Sequence, residues 1–360
     1  MQMGYENMAK RVTLAEVAAR AQVSPKTVSD VIHNRGRMRP ETRERIIASM
    51  RELGYHANAA ARTLRTGISH TIGLALPNFA QPFNGNFADV LTQYAKTKGY
   101  RVIIATYYGL DGGLPALIEE TYSIGADGWV FLSDSPIPEH RNFLKQSYPV
   151  VLTGDYLAHD AVDTVMFPNL EGAKHATSWL LEHGARHVGF IGAPQQLIGR
   201  GEDPTVCADI AAAREGNAPL RFKGYVTAMQ ESGVAIDPAL VGICRRLDRE
   251  DGEAAAEAII RSGAPLDALC CANDAVALGA MSALANHHIA IPDDVQVIGF
   301  DNTPDARFSS PKLTTINPHI EQYAKLSIDL LIDRIEGAAS NAAPNVYTTT
   351  FDLIQRETTR

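Results

Sequence analysis

From Ile72 to the end of the chain, short apolar runs alternate with helix-length amphipathic stretches. The apolar runs predict strands over Ile72–Pro77, Val102–Tyr107, Gly128–Ser133, Val150–Gly154, Val188–Ala193, Leu269–Ala272 and Val295–Asp301. Between and after them, spacing of three and four predicts helices over Asn86–Lys98, Leu170–Glu182, Arg221–Ser232, Glu253–Arg261, Asp274–Asn286 and Ile320–Ile335. This alternation predicts parallel sheets with helices on both faces. Residues 68–360 are more than one compact core usually takes, so two similar α/β lobes are expected. Ligands bind such sheets outside the carboxyl ends of the strands, and two lobes facing each other make a cleft.

The chain before Tyr55 has the helical period alone. Thr13-Leu14-Ala15-Glu16 has the form of a capping box, followed by Val17, Ala18 and Ala21 at helical spacing. Ser24 caps a second helix with Pro25 at its first position, where the missing N–H costs nothing; Val28, Val31 and Ile32 face inward. Pro40 opens a third, with a stripe of Ile46, Ile47, Met50 and Leu53. Two short helices across a tight turn, backed by a third, make a helix-turn-helix unit. Such a unit lays its second helix in the DNA major groove, first residues nearest the bases. That geometry makes Pro25, Lys26 and Asp30 the base readers, and suits Ser24, Thr27, Ser29, Arg35 and Arg37 to phosphates. A three-helix bundle with a solvated charged face has the same spacing.

The joining stretch, YHANAAARTLRTG from Tyr55 to Gly67, holds about two turns of helix between a cap at Asn58 and a stop at Gly67. A helix that short is marginal alone in water. Leu64 is its one large hydrophobe, between Arg62 and Arg65, so it is either a plain linker or a segment that folds against something apolar and anionic together.

Charge sharpens this division. Residues 1–66 carry 12 basic against 6 acidic side chains, a balance of +6, and the remainder 21 against 35, a balance of −14. An acidic body with a small basic head suggests that only the head meets a polyanion. No apolar run approaches the roughly 20 residues of a membrane span, and the charged N-terminus lacks a signal core, so a cytoplasmic protein is expected. Cys207, Cys244, Cys270 and Cys271 have neither zinc-ligand nor disulfide-framework spacing, and no metal or cofactor is expected. His287-His288 reads as a solvated helix end.

The order TLAEVAARAQVSPKTVSDVI, RPETRERI, LGYHANAAARTLRTG resembles the head and hinge of the lactose/galactose-repressor (LacI/GalR) family. The body resembles that family's periplasmic-binding-protein-like effector domain through IGLALPNFAQPF, ADGWVFL, HGARHVGFIGA, RFKGY, ANDAVALGAM, PDDVQVIGFDNTP and LTTINP. The resemblance covers residues 10–356. It implies an α/β protein with a three-helix helix-turn-helix head (10–56), a hinge helix (57–67) and a two-lobed body (68–360) crossed by the chain three times. Lobe 1 is expected at about 68–165 and 318–345, and lobe 2 at about 168–315 and 346–357. In the family two hinges pair in the minor groove and a leucine from each wedges into the central base step. Leu64 takes that position here, with Asn58, Ala61 and Arg62 at neighbouring contacts and Thr13 completing the DNA-facing set. An apolar wedge beside arginines is also a general way to kink DNA.

The resemblance also places Asn78, Phe79, Gln81 and Phe83 in the cleft after the first strand, Arg221 as a ligand clamp, and Asn273 and Asp301 at strand ends, with Asp155 a further candidate of that kind. The implied partners are double-stranded pseudo-palindromic operator DNA, a carbohydrate-like small molecule and a second copy of the chain, with no membrane. The implied function is a dimeric, effector-switched repressor at the nucleoid; corepression occurs in the same family. Three departures stand out. Family members commonly have Arg or a similar residue at Asp30, and a carboxylate there cannot read guanine but accepts from cytosine. Leu247 stands where some sugar-binding members have an aromatic platform. The stretch between Pro194 and Arg221 is far longer than the several residues usual in the family. A solute-binding protein would share the body but not the basic head. An enzyme is disfavoured, because no phosphate-binding loop, dinucleotide fingerprint, H-E-x-x-H or nucleophile elbow occurs. No heptad-bearing tail follows Arg356, which argues against a coiled-coil tetramer.

Overall fold

The computed structural model describes residues 12–32, 37–55, 63, 67–137, 142–197, 208–339 and 342–360. The chain forms two compact units, 1–69 and 70–360. In the first, helices α1 (Leu14–Ala21), α2 (Pro25–Ile32) and α3 (Pro40–Glu52) enclose a core of Val17, Ala18, Ala21, Val28, Val31 and Ile46. These are the positions that spacing of three and four brings to one face, so the pattern and the packing agree.

The second unit holds two six-stranded sheets. The strands are β1 (Thr71–Leu76), β2 (Arg101–Thr106), β3 (Gly128–Leu132), β4 (Val150–Thr153), β5 (Asp163–Met166), β6 (Val188–Ala193), β7 (Val241–Ile243), β8 (Ala268–Cys271), β9 (Gln296–Phe300), β10 (Thr314–Asn317), β11 (Val346–Thr348) and β12 (Asp352–Ile354). The first sheet has the order β11-β5-β4-β3-β1-β2, the second β12-β10-β9-β8-β6-β7. Every pairing is parallel except β10 with β12. Strands β1, β3, β6, β8 and β9 are buried at every position, as parallel strands covered on both faces must be. Gly73 lets the sheet accept Trp129: a Cβ there would stand 2.1 Å from the indole.

Helix Ile320–Ile335 packs on the first sheet and helices Asn169–Glu182 and Asn217–Glu231 on the second. The chain therefore crosses between lobes after β5, after β10 and after β11. One expected boundary needs correction. Residues 346–348 pair with β5 and belong to the first lobe, not the second, so the last crossing falls between β11 and β12. Val346-Tyr347-Thr348 offers apolar and polar positions to either sheet edge; what assigns it is Asp163 of β5. That buried carboxylate accepts from the Asn345 amide at 2.9 Å and from Arg334 Nε at 2.9 Å.

Edge strand β2 leaves Ile103 and Ile104 partly open, and Tyr108 and Tyr122 of the same lobe are 71% and 58% exposed. Among the described residues no helix is long and apolar enough to cross a membrane.

Candidate functional site

In the head, Thr13 and Glu16 form the reciprocal capping box, Thr13 N donating to Glu16 Oε2 at 2.7 Å and Glu16 N to Thr13 Oγ1 at 3.3 Å. Ser24 Oγ accepts from Thr27 N at 3.1 Å and lies 2.8 Å from the Thr27 hydroxyl. These side chains fix the first turns of α1 and α2, leaving less of their hydrogen-bonding capacity for an outside partner. Pro25 and Lys26 are exposed at the start of α2, Ser29 and Asp30 are half-buried one turn on, and Arg37 is exposed before α3. Arg45 Nε donates to the Ala21 carbonyl at 3.0 Å, tying α3 to the end of α1. Arg35, Asn58, Ala61, Arg62 and Leu64 lie outside the described residues. Of the expected hinge, Thr63 and Gly67 are described, with Gly67 N donating to Thr63 O at 2.7 Å.

In the body, a cleft of about 610 Å³ opens outside the carboxyl ends of strands from both sheets. Asn78, Gln81, Phe83, Asp155, Arg221, Asn273 and Asp301 all line it. Phe79 does not: it is 56% exposed, outside the residues that line the cleft. An aromatic just past a strand end carries no sequence mark of which way its loop turns. The loop turns here because Asn78 Oδ1 accepts from Ala80 N at 2.7 Å and Asn84 Nδ2 donates to Asn78 O at 2.9 Å.

Arg221 sits in the second turn of helix Asn217–Glu231 and is only 3% exposed. Its Nε donates to Asn169 Oδ1 at 2.7 Å, Nη1 to the Ala272 carbonyl at 2.6 Å and Nη2 to Asp301 Oδ1 at 3.0 Å. The guanidinium carbon lies 3.8 Å from the centre of the Phe300 ring. A fork of five N–H groups with three partners in fixed directions is pre-organised, with two N–H groups left over. Asp301 follows β9 with a φ of 103°. Burial pushes its carboxyl up to about 6, and Arg221 opposes that rise. Asp155, wholly buried, is raised by burial as well, against the Phe167 amide that donates to it at 2.8 Å. Asn273 caps helix Asp274–Asn286: its Oδ1 accepts from Val276 N at 2.8 Å, and its Nδ2 donates to Leu247 O at 2.9 Å. Its amide thus orders the cleft wall before it meets any ligand.

Three features escaped the sequence reading. Asp274 is fully buried behind Asp301 and accepts from Thr303 N, Thr303 Oγ1 and Thr315 Oγ1 at 2.7, 3.1 and 2.6 Å. Burial first, then the charge of Asp301, pushes its carboxyl up to about 7. Its place beside Asn273 was the available signal. The aromatic wall comes from the first lobe: Phe83 meets Phe167 edge-on at 5.5 Å, and Phe167 stacks on Tyr323 at 4.1 Å. Leu247 leaves the second lobe without a ring at that position. Arg245 and Arg246 also line the cleft; Arg246 pairs with Asp248 at 3.0 Å. Burial raises the thiols of Cys244, Cys270 and Cys271, which keeps them protonated and unreactive.

Residues 13–58 match the description "Bacterial regulatory proteins, lacI family", and residues 177–359 match "Periplasmic binding protein-like domain". The crystal structure of a LacI-type transcription regulator from Bifidobacterium animalis subsp. lactis DSM 10140 is 38% identical, with a TM-score of 0.75 over 81% of this chain and 99% of that one. The chain belongs to the LacI family of bacterial regulatory proteins. As a LacI-family member it is a DNA-binding transcriptional regulator, and the solute-binding alternative falls away. It is similar along most of its length to the HTH-type transcriptional repressor CytR of Escherichia coli strain K12, 28% identical over 332 residues and 90% of each chain. It is also similar to the transcriptional regulator CelR in its cellobiose complex, 26% identical with a TM-score of 0.67 over 97% of this chain and 100% of that one.

Proposed function

We propose that this LacI-family regulator is a homodimeric repressor whose affinity for a pseudo-palindromic operator is switched by a carbohydrate bound between its lobes. The observation that carries the ligand class is the cleft's division of labour. Arg221, Asp301, Asn273 and Asp155 supply fixed donors and acceptors, and Phe83 and Phe167 face the same space with apolar rings. Hydroxyls on the edge of a sugar ring suit the first set, and its C–H face suits the second. The cellobiose complex of a relative supports the same class.

A ligand touching both lobes favours one lobe angle over another, and the free energy of that preference is all it can transmit to the DNA contacts. The proposed DNA contacts are Thr13, Ser24, Pro25, Lys26, Thr27, Ser29, Asp30, Arg35 and Arg37 in the head, and Asn58, Ala61, Arg62 and Leu64 in the hinge. A second copy is the proposed cover for the apolar surface at β2, where Ile103, Ile104, Tyr108 and Tyr122 stand open, and for Phe308, 82% exposed on the other lobe. The chain acts by binding rather than catalysis, in the cytoplasm at the nucleoid.

The test is a thermal-shift screen of the full chain against aldoses, sugar acids, polyols and disaccharides, followed by operator binding with and without each hit. A sugar that raises the melting temperature and moves the operator Kd supports the reading. Stabilisation by nucleobases or amino acids, with sugars silent, overturns the ligand class.

A further inference from the structure

The stretch between Pro194 and Arg221, which the resemblance marks as long for the family, ends against the opposite lobe. In it, helix Ala208–Ala212 leads through Ala213 to Gly216, directly before the helix that carries Arg221. Lys223 Nζ donates to the carbonyls of Ala211 and Ala213 at 2.7 and 3.0 Å, which holds the segment to that helix. Across the cleft flank, Gly216 N donates to Asp155 O at 2.6 Å, and Glu215 Oε2 accepts from Leu157 N at 2.8 Å. Asp155 and Leu157 follow β4 of the first lobe, and Glu215 and Gly216 precede a helix of the second.

The backbone at both ends of this contact is specialised. Gly216 has a φ of 84° and a ψ of 133°, a region essentially confined to glycine, and a Cβ there would meet the Tyr156 ring at 3.3 Å. Asp155 takes a φ of 68°. The residue that receives Gly216 through its carbonyl also accepts from the Phe167 amide at the first crossing, and its charge faces Arg221. One short loop of the first lobe thus touches the crossing, the added segment and the start of the arginine-bearing helix.

We propose that Glu215 is a positioning residue of the effector site: with Gly216 it latches the lobes across one flank of the cleft and holds Arg221 against the Asp155 loop before any ligand arrives. The proposal rests on the cleft being the effector site. Tyr156, Asn217 and Pro219, neighbours of the latch in sequence, line the cleft, so the contact lies at the wall of the proposed ligand space. Glu215 acts through the Leu157 amide and does not touch the ligand.

The test uses the full chain as Glu215→Ala and Glu215→Gln, since the glutamine keeps an oxygen able to accept from Leu157. Amide hydrogen exchange without ligand is expected to show protection at Leu157 falling about tenfold in Glu215→Ala and staying near wild type in Glu215→Gln. Unchanged protection in the alanine variant overturns the latch. In parallel, D-ribose, D-xylose, D-glucose, D-galactose and cellobiose are titrated by calorimetry. Any that binds wild type is expected to bind Glu215→Ala about tenfold more weakly and Glu215→Gln within twofold; equal affinity in the alanine variant overturns the positioning role. Failure of all five with the wild type retires the carbohydrate reading while the exchange result still decides the latch. If Glu215→Ala does not fold, loss of Leu157 protection in Glu215→Lys, compared with Glu215→Gln, reads the same bond.

Discussion

Replacing Arg221 with alanine removes a cation from one of the driest places in the body, and the cost follows from its partners. The guanidinium and the Asp301 carboxylate are 3% and 8% exposed. Breaking such a pair from one side usually costs about 3–5 kcal/mol, because the remaining charge is left buried. Asp301 limits this cost by taking up a proton. Its carboxyl already sits at about 6 with Arg221 present, and without the arginine it rises further. The sign then follows. A carboxyl raised in the folded state contributes stability at low pH that is lost as pH rises through its folded value. The variant's deficit should therefore be smaller at pH 5, where Asp301 is protonated in both proteins, than at pH 8. Each unit of added rise widens the gap by about 1.4 kcal/mol. What remains at pH 5 is the lost packing on Phe300 and the unpaired Asn169 and Ala272 acceptors, roughly 1 kcal/mol for each bond. At about 1.6 °C per kcal/mol for a unit of this size, the expected drop in melting temperature is about 6 °C at pH 8 and about half that at pH 5. Scanning calorimetry of both proteins at the two pH values measures it. A drop under 2 °C at both, or a larger drop at pH 5, refutes the reading of Arg221 and Asp301 as a buried pair.

Three further outcomes are expected. Ser24→Ala should cost the head about 1 kcal/mol through the lost cap, seen as about fivefold faster exchange of α2 amides; unchanged exchange would show that the cap is idle. Ile104→Glu combined with Phe308→Glu should leave a folded chain that runs as a monomer by light scattering at micromolar concentration, and persistence of a dimer would place the interface elsewhere. Leu64→Ala should weaken operator binding by tenfold or more while leaving the Kd for random duplex within about twofold, since the arginines remain; equal losses on both would remove Leu64 from the DNA.

The strongly periodic elements were legible in the sequence. Val188–Ala193, Asp274–Asn286 and Ile320–Ile335 are observed with the expected ends, because each is a long apolar pattern with clear stops. The elements that escaped are short or carry misleading residues. Strand β5, DTVM, is four residues opened by an aspartate whose charge Arg334 satisfies from a distant helix. Helix Gly113–Thr121 follows Gly112, opens on a second glycine and contains Pro115 in its first turn. Strands β7, β11 and β12 have three residues each, below what period-two counting can detect. At the cleft, the family resemblance, with strand-end position for Asp155, Asn273 and Asp301, was enough to bring most of the candidates together. Their occupancy was not legible: that Asn273 spends its amide on a cap, or that Arg221 has three protein partners, depends on atoms remote in sequence. Phe79 shows the same limit, since nothing in PNFAQPF says which of two phenylalanines the loop turns inward.

The central claim is that occupation of the cleft changes grip on DNA. The most direct measurement is the fluorescence-anisotropy Kd of the full chain for an operator duplex selected from random sequence by the protein itself, taken with and without a saturating sugar from the screen, at fixed salt. The account predicts a shift of at least fivefold, absent when the same duplex is bound by residues 1–69 alone. An identical Kd in both conditions, with the sugar demonstrably bound, would contradict it.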